Sequence, residues 1–325
     1  MLSYWMKTVA DKTSLELRTV DKPQPAPRQI LVRLKAASLN RGEFVVGHGL
    51  HKGDQAVQIG MEGAGIVEAI GAEVSDIKIG DRIFGRCKGA FSEFACMEAR
   101  EATAIPANIS FEQAASVALT FLVVHDMLTI QGELKKDEWL LINGVSSGVG
   151  VAALQYAKAL GAKVIGTSGS AQKLARLKEH GLDVGICTRA PDFSTQVMDA
   201  TNGKGANLVV NTVGGTVFGE SVKCMAFEGR LAMVGYVDNT LTAEIDLKAL
   251  HSKRLKLFGV SNKLRSADQK AQFLPEFRRD ILPALADGRI RPLVDHALPF
   301  GELEKAKALM ETNAHVGKIV IQMPN

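Results

Sequence analysis

The stretch LLINGVSSGVGVAALQYAKALGAKVIGTS, from Leu140 to Ser168, restricts the fold more than any other part of the chain. An apolar run leads into a glycine-rich turn, then into a segment with helical periodicity closed by Gly161, then into a second apolar run. Two buried strands joined through a helix lie parallel, because the crossover returns the chain to the same end of the sheet. The rhythm repeats through KVIGTS, AQKLARLKEHG, VGICT, FSTQVMDATNG, ANLVVNTVGG, GRLAMVGY and LKLFGVSN, as far as Asn262. Six such strands with intervening helices predict an α/β fold with a doubly wound parallel sheet.

The turn itself departs from the usual dinucleotide fingerprint. At the three glycine positions of G-x-G-x-x-G stand Val145, Ser147 and Gly150, with Gly148 added. The context is nonetheless that of a phosphate site: backbone N–H groups from Ser146 to Gly150 and the dipole of the following helix would face a pyrophosphate. The second strand ends in Thr167 and Ser168, without the carboxylate that binds a ribose 2′-hydroxyl. Ser168 and Ser170 can donate hydrogen bonds, and Lys173, one helical turn on, adds a positive charge. This combination suits a 2′-phosphate, hence NADPH, and Arg189 after the third strand is a second cationic candidate.

From Leu2 to about Met97 the chain reads instead as short strands between turns, including QILVRLKAASL, GIVEAIG, DRIFGR and FSEFACM. A helix opens at Ser110, with Gln113 at capping-box spacing, and apolar residues carry it to Met127. After Asn262, AQFLPEFRRDILPALADG reads as a helix, and HALPF, LEKAKALMETN and GKIVIQM as strand, helix and strand that return to the first region. Three parts are therefore expected: 1–120, 121–262 and 263–325. A length of 325 residues with 46% hydrophobic content agrees with about two domains.

The 39 basic and 35 acidic residues are dispersed, so the net charge of +4 offers no concentrated face for nucleic acid or an anionic membrane. Cys87, Cys96, Cys187 and Cys224 form no C-x-x-C pair, which argues against a zinc knuckle or a disulfide framework. MLSYWMKTVADK lacks the apolar segment of a secretory signal, and the apolar run Ala115 to Val124 is too short to span a bilayer. A cytoplasmic protein without a membrane partner is expected.

The motifs AASLNRGEF, GMEGAGIVEAIG, GDRIFGR, GAFSEF, ISFEQAASVALTFLVVHDML, GVSSGVGVAALQYAKALGA and HVGKIVI occur in that order along nearly the whole chain. Together they resemble the medium-chain dehydrogenase/reductase superfamily, in particular its zinc-free quinone oxidoreductase and enoyl reductase branch. The resemblance implies a GroES-like, mainly β catalytic domain and a Rossmann domain enclosing an active-site cleft. Asn40 and Met61 stand where the zinc alcohol dehydrogenases of the superfamily place a cysteine and a histidine ligand, and the structural cysteine lobe is missing, so no metal is expected. Glu62 is expected to pair with backbone or an arginine.

By the same resemblance, Asn40 and Thr120 lie beside the nicotinamide. The ends of strands four to six, carrying Asn211, Val213, Gly235, Tyr236, Val260, Ser261 and Asn262, approach the cofactor as well. The branch's tyrosine after the asparagine falls on Val45, which leaves His48 and Tyr236 as candidate proton donors to a small electrophilic substrate. The activity implied is NADPH-dependent hydride transfer to a quinone or an α,β-unsaturated carbonyl, in a homodimer. The alternatives are a non-catalytic NADPH-binding structural or RNA-binding relative, or a dehydrogenase of simple alcohols.

Overall fold

The computed structural model describes residues 1–9, 12–44 and 55–324. The chain divides into two compact units, the first comprising Met1–Leu119, Ala271–Ala286 and Pro292–Asn325, the second Thr120–Lys270 and Asp287–Arg291. Residues 263–270 thus go with the second unit; Arg265 there bonds Asn262 and lies 3.5 Å from the buried Asp126 carboxylate. No described helix is long and apolar enough to cross a membrane.

The first unit opens with strands β1 (Leu2–Val9), β2 (Lys12–Thr19), β3 (Gln29–Ser38), β4 (Val57–Gln58), β5 (Glu62–Ile70), β6 (Arg82–Arg86), β7 (Phe94–Glu98) and β8 (Thr103–Ala104). Helix α1 (Phe111–Ala115) follows, with Ser110 and Gln113 closing the expected capping box, and then α2 (Ala118–His125). The single helix expected from Ser110 to Met127 is therefore broken. Ser116 Oγ turns back onto the Gln113 carbonyl, a competing hydrogen bond of the kind that ends helices, and a π-helical turn covers Asp126–Ile130.

In the second unit, β9 (Trp139–Asn143), β10 (Lys163–Ser168), β11 (Val184–Cys187), β12 (Ala206–Asn211), β13 (Met225–Met233) and β14 (Lys256–Gly259) alternate with α3 (Gly148–Ala159), α4 (Ala171–Lys178), α5 (Ser194–Ala200), α6 (Phe218–Lys223) and α7 (Leu247–Ser252). All pairings are parallel, in the order β11-β10-β9-β12-β13-β14, the strand order of dinucleotide-binding folds. Leu141, Ile165, Val209 and Leu231, buried in the sheet, pack with Ile186, Phe193 and Val197.

The chain closes with α8 (Ala267–Ala271), α9 (Leu274–Ala286), β15 (Val294–Pro299), α10 (Leu303–Glu311) and β16 (Lys318–Gln322). β15 and β16 return to the first unit and complete the sheet β15-β16-β3-β5-β6-β8, with β7 also on β3. β3 is its spine, and Ile30, Val32 and Leu34 pack with Phe91, Met97, Ile319 and Ile321 in the core. Gly65 lets β5 approach β3: a Cβ there would collide with the Arg33 carbonyl.

Candidate active site

Register aligns the carboxyl ends of the parallel strands. Asn143 lies opposite Thr167 and Asn211, and Asn211 opposite Met233, which faces Gly259. The loops that follow therefore share one edge, where sheets of this kind bind ligands. Gly144 makes the tight turn after β9 with φ of 76°, a conformation that disfavours other residues. Ser147 caps α3 by accepting from the Gly150 N–H at 3.0 Å. Gly150 is required for packing, since a Cβ would press on the carbonyls of Gly144 and Val145. The N–H groups of Gly148 and Val149 in the first turn of α3 have no intrahelical acceptor and suit an anion.

At the end of β10, the Arg189 side chain lies across Gly169, so that a Cβ at 169 would collide with its guanidinium. Ser168 accepts from the Ser170 N–H and Ser170 from the Lys173 N–H, each at 3.3 Å, which leaves both hydroxyl hydrogens to donate. Ser168, Ser170, Lys173 and Arg189 are thus gathered around one loop without a carboxylate among them. The residues fit a 2′-phosphorylated dinucleotide.

Two further candidates, Thr167 and Asn211, also brace the loops around them. Thr167 Oγ1 accepts from the Gly144 N–H and bonds Asn143. Asn211 is fully buried; its amide spans Val213 N, Gly214 N and Gly214 O, which fixes the loop after β12 rather than leaving a free side chain. Thr120 is buried in α2. Gly235 is half-buried and Tyr236 is exposed in the loop after β13, while Val260, buried, Ser261, exposed, and Asn262, half-buried, follow β14. His48 and Val45 lie outside the described residues.

The first unit contains a separate polar cluster. The pairing of Ala37 with Gly63 sets Glu62 beside Ser38, and that of Ser38 with Val320 carries Lys318 next to Asn40. Lys318 Nζ donates to the Leu39 carbonyl (2.9 Å), Asn40 Oδ1 (2.8 Å) and Glu62 Oε1 (3.2 Å). Glu62 Oε1 also accepts from Ser38 Oγ (2.6 Å) and Asn40 Nδ2 (3.0 Å). Its Oε2 accepts from the Leu119 N–H (2.6 Å), which the first turn of α2 leaves without a helical partner. Glu62 therefore pairs with backbone, as expected, and with a lysine instead of an arginine.

Asn40 Nδ2 gives its second hydrogen to Glu43 Oε1 (2.9 Å). Glu43, on the turn Arg41–Glu43, is 1% exposed, and its Oε2 has no partner among the described residues. Burial pushes this carboxyl up to about 8, with the charge of Glu62 adding to it and the Asn40 hydrogen bond, the Lys318 charge and the Gly60 backbone N–H opposing. Glu43, Lys318 and Gly144 all escaped the sequence reading. The available signals were a charge within NRGEF, a lysine opening the otherwise apolar KIVI, and a glycine directly after the strand.

Residues 26–107 match the family model described as the alcohol dehydrogenase GroES-like domain, and residues 148–276 that of the zinc-binding dehydrogenases. The chain belongs to the medium-chain dehydrogenase/reductase superfamily. It is 30% identical to a mycocerosic acid synthase-like polyketide synthase of Mycolicibacterium smegmatis over 98% of this chain but only 15% of that relative. Escherichia coli quinone oxidoreductase, solved with NADPH, is 28% identical with a TM-score of 0.85, covering 99% of this chain and 100% of the other. A structure described as an NAD-dependent alcohol dehydrogenase is 27% identical with a TM-score of 0.86, covering 100% of both chains.

The zinc in the family description does not fit the cluster at Asn40. Asn40 offers an amide oxygen that already accepts from the Lys318 ammonium at 2.8 Å, and Met61 offers a thioether, neither of which replaces a thiolate or an imidazole as a zinc ligand. Among the described residues, no group of three or more His, Cys, Asp or Glu could hold a metal ion.

Proposed function

We propose that this protein is an NADPH-dependent oxidoreductase that transfers hydride, without a metal, to a quinone or to the β-carbon of an α,β-unsaturated carbonyl. The observation that carries the reading is the loop after β10, where the Arg189 side chain lies against Gly169, Ser168 and Ser170 keep hydroxyl hydrogens to donate, Lys173 opens the next helix, and the strand ends in Ser168 where a carboxylate would receive a 2′-hydroxyl. NADPH in the E. coli quinone oxidoreductase structure supports the same cofactor here. The Lys318 ammonium beside Asn40 argues against the zinc chemistry of simple alcohol dehydrogenases.

Bound NADPH supplies the hydride; the chain binds, orients and shields. The start of α3 would hold the pyrophosphate, and Ser168, Ser170, Lys173 and Arg189 would hold the 2′-phosphate. Asn40 and Thr120 are assigned to the nicotinamide half. Hydride addition to an enone leaves negative charge on its oxygen, and a proton from Tyr236, His48 or water completes the reduction. Quinone reduction can draw both protons from water. NADPH oxidation measured against NADH, with quinones and enals as acceptors, tests the reading. Turnover with NADPH and either acceptor class is expected, and no oxidation with any of them would refute it.

A further inference from the structure

At the carboxyl edge of the parallel sheet, the loops after β12 and β13 are joined through one carboxylate. Asp238 Oδ2 accepts from the Thr216 N–H (2.9 Å) and from Thr216 Oγ1 (2.6 Å), and its Oδ1 accepts from the Thr240 N–H (2.8 Å). Main-chain bonds run beside it: the Asp238 N–H donates to the Val213 carbonyl and the Gly215 N–H to the Thr240 carbonyl, both at 2.9 Å. Three glycines let the two loops press together. A Cβ at Gly214 would collide with the Asp238 carboxylate, one at Gly215 with Thr240 and the Thr242 carbonyl, and one at Gly235 would meet the Thr212 carbonyl at 3.0 Å. Burial raises the Asp238 carboxyl, but the hydrogen bonds from Thr216 and Thr240 outweigh it and hold the group below its usual range, so it is ionised at neutral pH.

Strand order fixes what these loops face. The 2′-phosphate loop follows β10 and the pyrophosphate turn follows β9, while β12 lies on the other side of β9 from β10, with β13 beyond it. A dinucleotide with its adenosine end at β10 and its pyrophosphate at the start of α3 therefore extends its remaining half past the ends of β12 and β13. In the loop there, the Gly235 and Tyr236 N–H groups make no hydrogen bond among the described residues, so both can donate to a ligand. We propose that Asp238 is a positioning residue for the nicotinamide half of the cofactor: by stapling the loop after β13 to the loop after β12, it holds the Gly235 and Tyr236 N–H groups in place to bind it. Residues 234–246 carry neither helix nor strand, so without the staple this segment is ordered only on binding, at a cost in affinity.

This rests on NADPH as the ligand, so the test separates the two claims. Affinities for NADPH and for 2′,5′-ADP, which lacks the nicotinamide half, are measured for wild type, Asp238→Ala and Asp238→Asn. Asp238→Ala should weaken NADPH about three- to tenfold, the worth of one hydrogen bond, and leave 2′,5′-ADP unchanged. Asp238→Asn keeps the shape but has one acceptor oxygen, which can serve Thr216 or Thr240 and not both. It should show a smaller loss with the same selectivity, and it decides the matter if Asp238→Ala does not fold. Equal losses for the two nucleotides, or no loss for NADPH, would overturn the inference and leave the cofactor reading standing. Binding of neither nucleotide by wild type would overturn the cofactor reading and the inference with it. Hydrogen exchange over residues 234–242 supplies a readout that a merely structural role would not move. NADPH should slow exchange there in wild type well beyond the effect of 2′,5′-ADP, and less so in Asp238→Ala. Equal protection by the two nucleotides would place the nicotinamide half elsewhere and overturn the inference.

Discussion

Lys318 Nζ donates to Asn40 Oδ1 at 2.8 Å, joining the last strand of the chain to the turn after β3 across 278 residues of sequence. The same ammonium is the only cation paired with buried Glu62 among the described residues. Lys318→Met should therefore cost about 3–5 kcal/mol of stability near neutral pH, because it leaves a buried carboxylate uncompensated. Urea denaturation checks this; a change under about 1 kcal/mol would show that Glu62 is satisfied by its neutral donors alone.

Glu43 gives a stability test with the opposite sign. Its carboxyl titrates near 4.5 when unfolded and near 8 when folded. Between these values the folded state binds more protons than the unfolded state, so rising pH favours unfolding, by up to about 1.4 kcal/mol per pH unit. Glu43→Gln removes that penalty. Its advantage over wild type should grow from about pH 4.5 to about 8, reaching at most about 5 kcal/mol, and then level off. Denaturation across pH measures it, and parallel curves for the two proteins would count against a buried neutral Glu43.

Cofactor choice is tested at the end of β10. Lys173→Ala should weaken NADPH by roughly tenfold or more and leave NADH nearly unchanged, a charge-assisted phosphate contact being worth about 1.5–3 kcal/mol. Equal losses for both nucleotides, by isothermal titration, would place Lys173 away from the 2′-phosphate.

The edge strand β14 pairs only with β13 among the described residues, and Leu257 on it is 39% exposed. Pairing with the same strand of a second copy would satisfy its open backbone and cover that side chain. Light scattering at micromolar concentration should give a dimer, and Leu257→Lys should shift it toward monomer; a monomeric wild type would contradict the proposal.

The parallel sheet was legible because strand–helix alternation over Trp139–Gly259 leaves few topologies, and the capping box at Ser110 because it is local. The Asn40 cluster was not legible. Glu43, Glu62 and Lys318 are distant in sequence, and only the antiparallel register brings Lys318 beside Asn40. The phosphate turn was legible from its context although its spelling departs from the fingerprint. The left-handed turn falls on Gly144 and the close helix packing on Gly150, so the residues at the expected spacing, Val145 and Ser147, take other roles. Asn211 stands at a strand end, and the sequence did not show that its amide also braces the loop that follows through Val213 and Gly214.

The central claim is hydride transfer from NADPH to a conjugated acceptor, and isotope transfer tests it most directly. NADPH carrying deuterium at C4, on each face in turn, is incubated with the enzyme and an enal. One label should appear at the β-carbon of the reduced product, in step with NADPH oxidation, and NADH should react more slowly. With a quinone the same oxidation should proceed, the hydroquinone oxygens exchanging their label with water. No NADPH-dependent reduction of either acceptor, or a product whose β-hydrogen comes from solvent, would contradict the account.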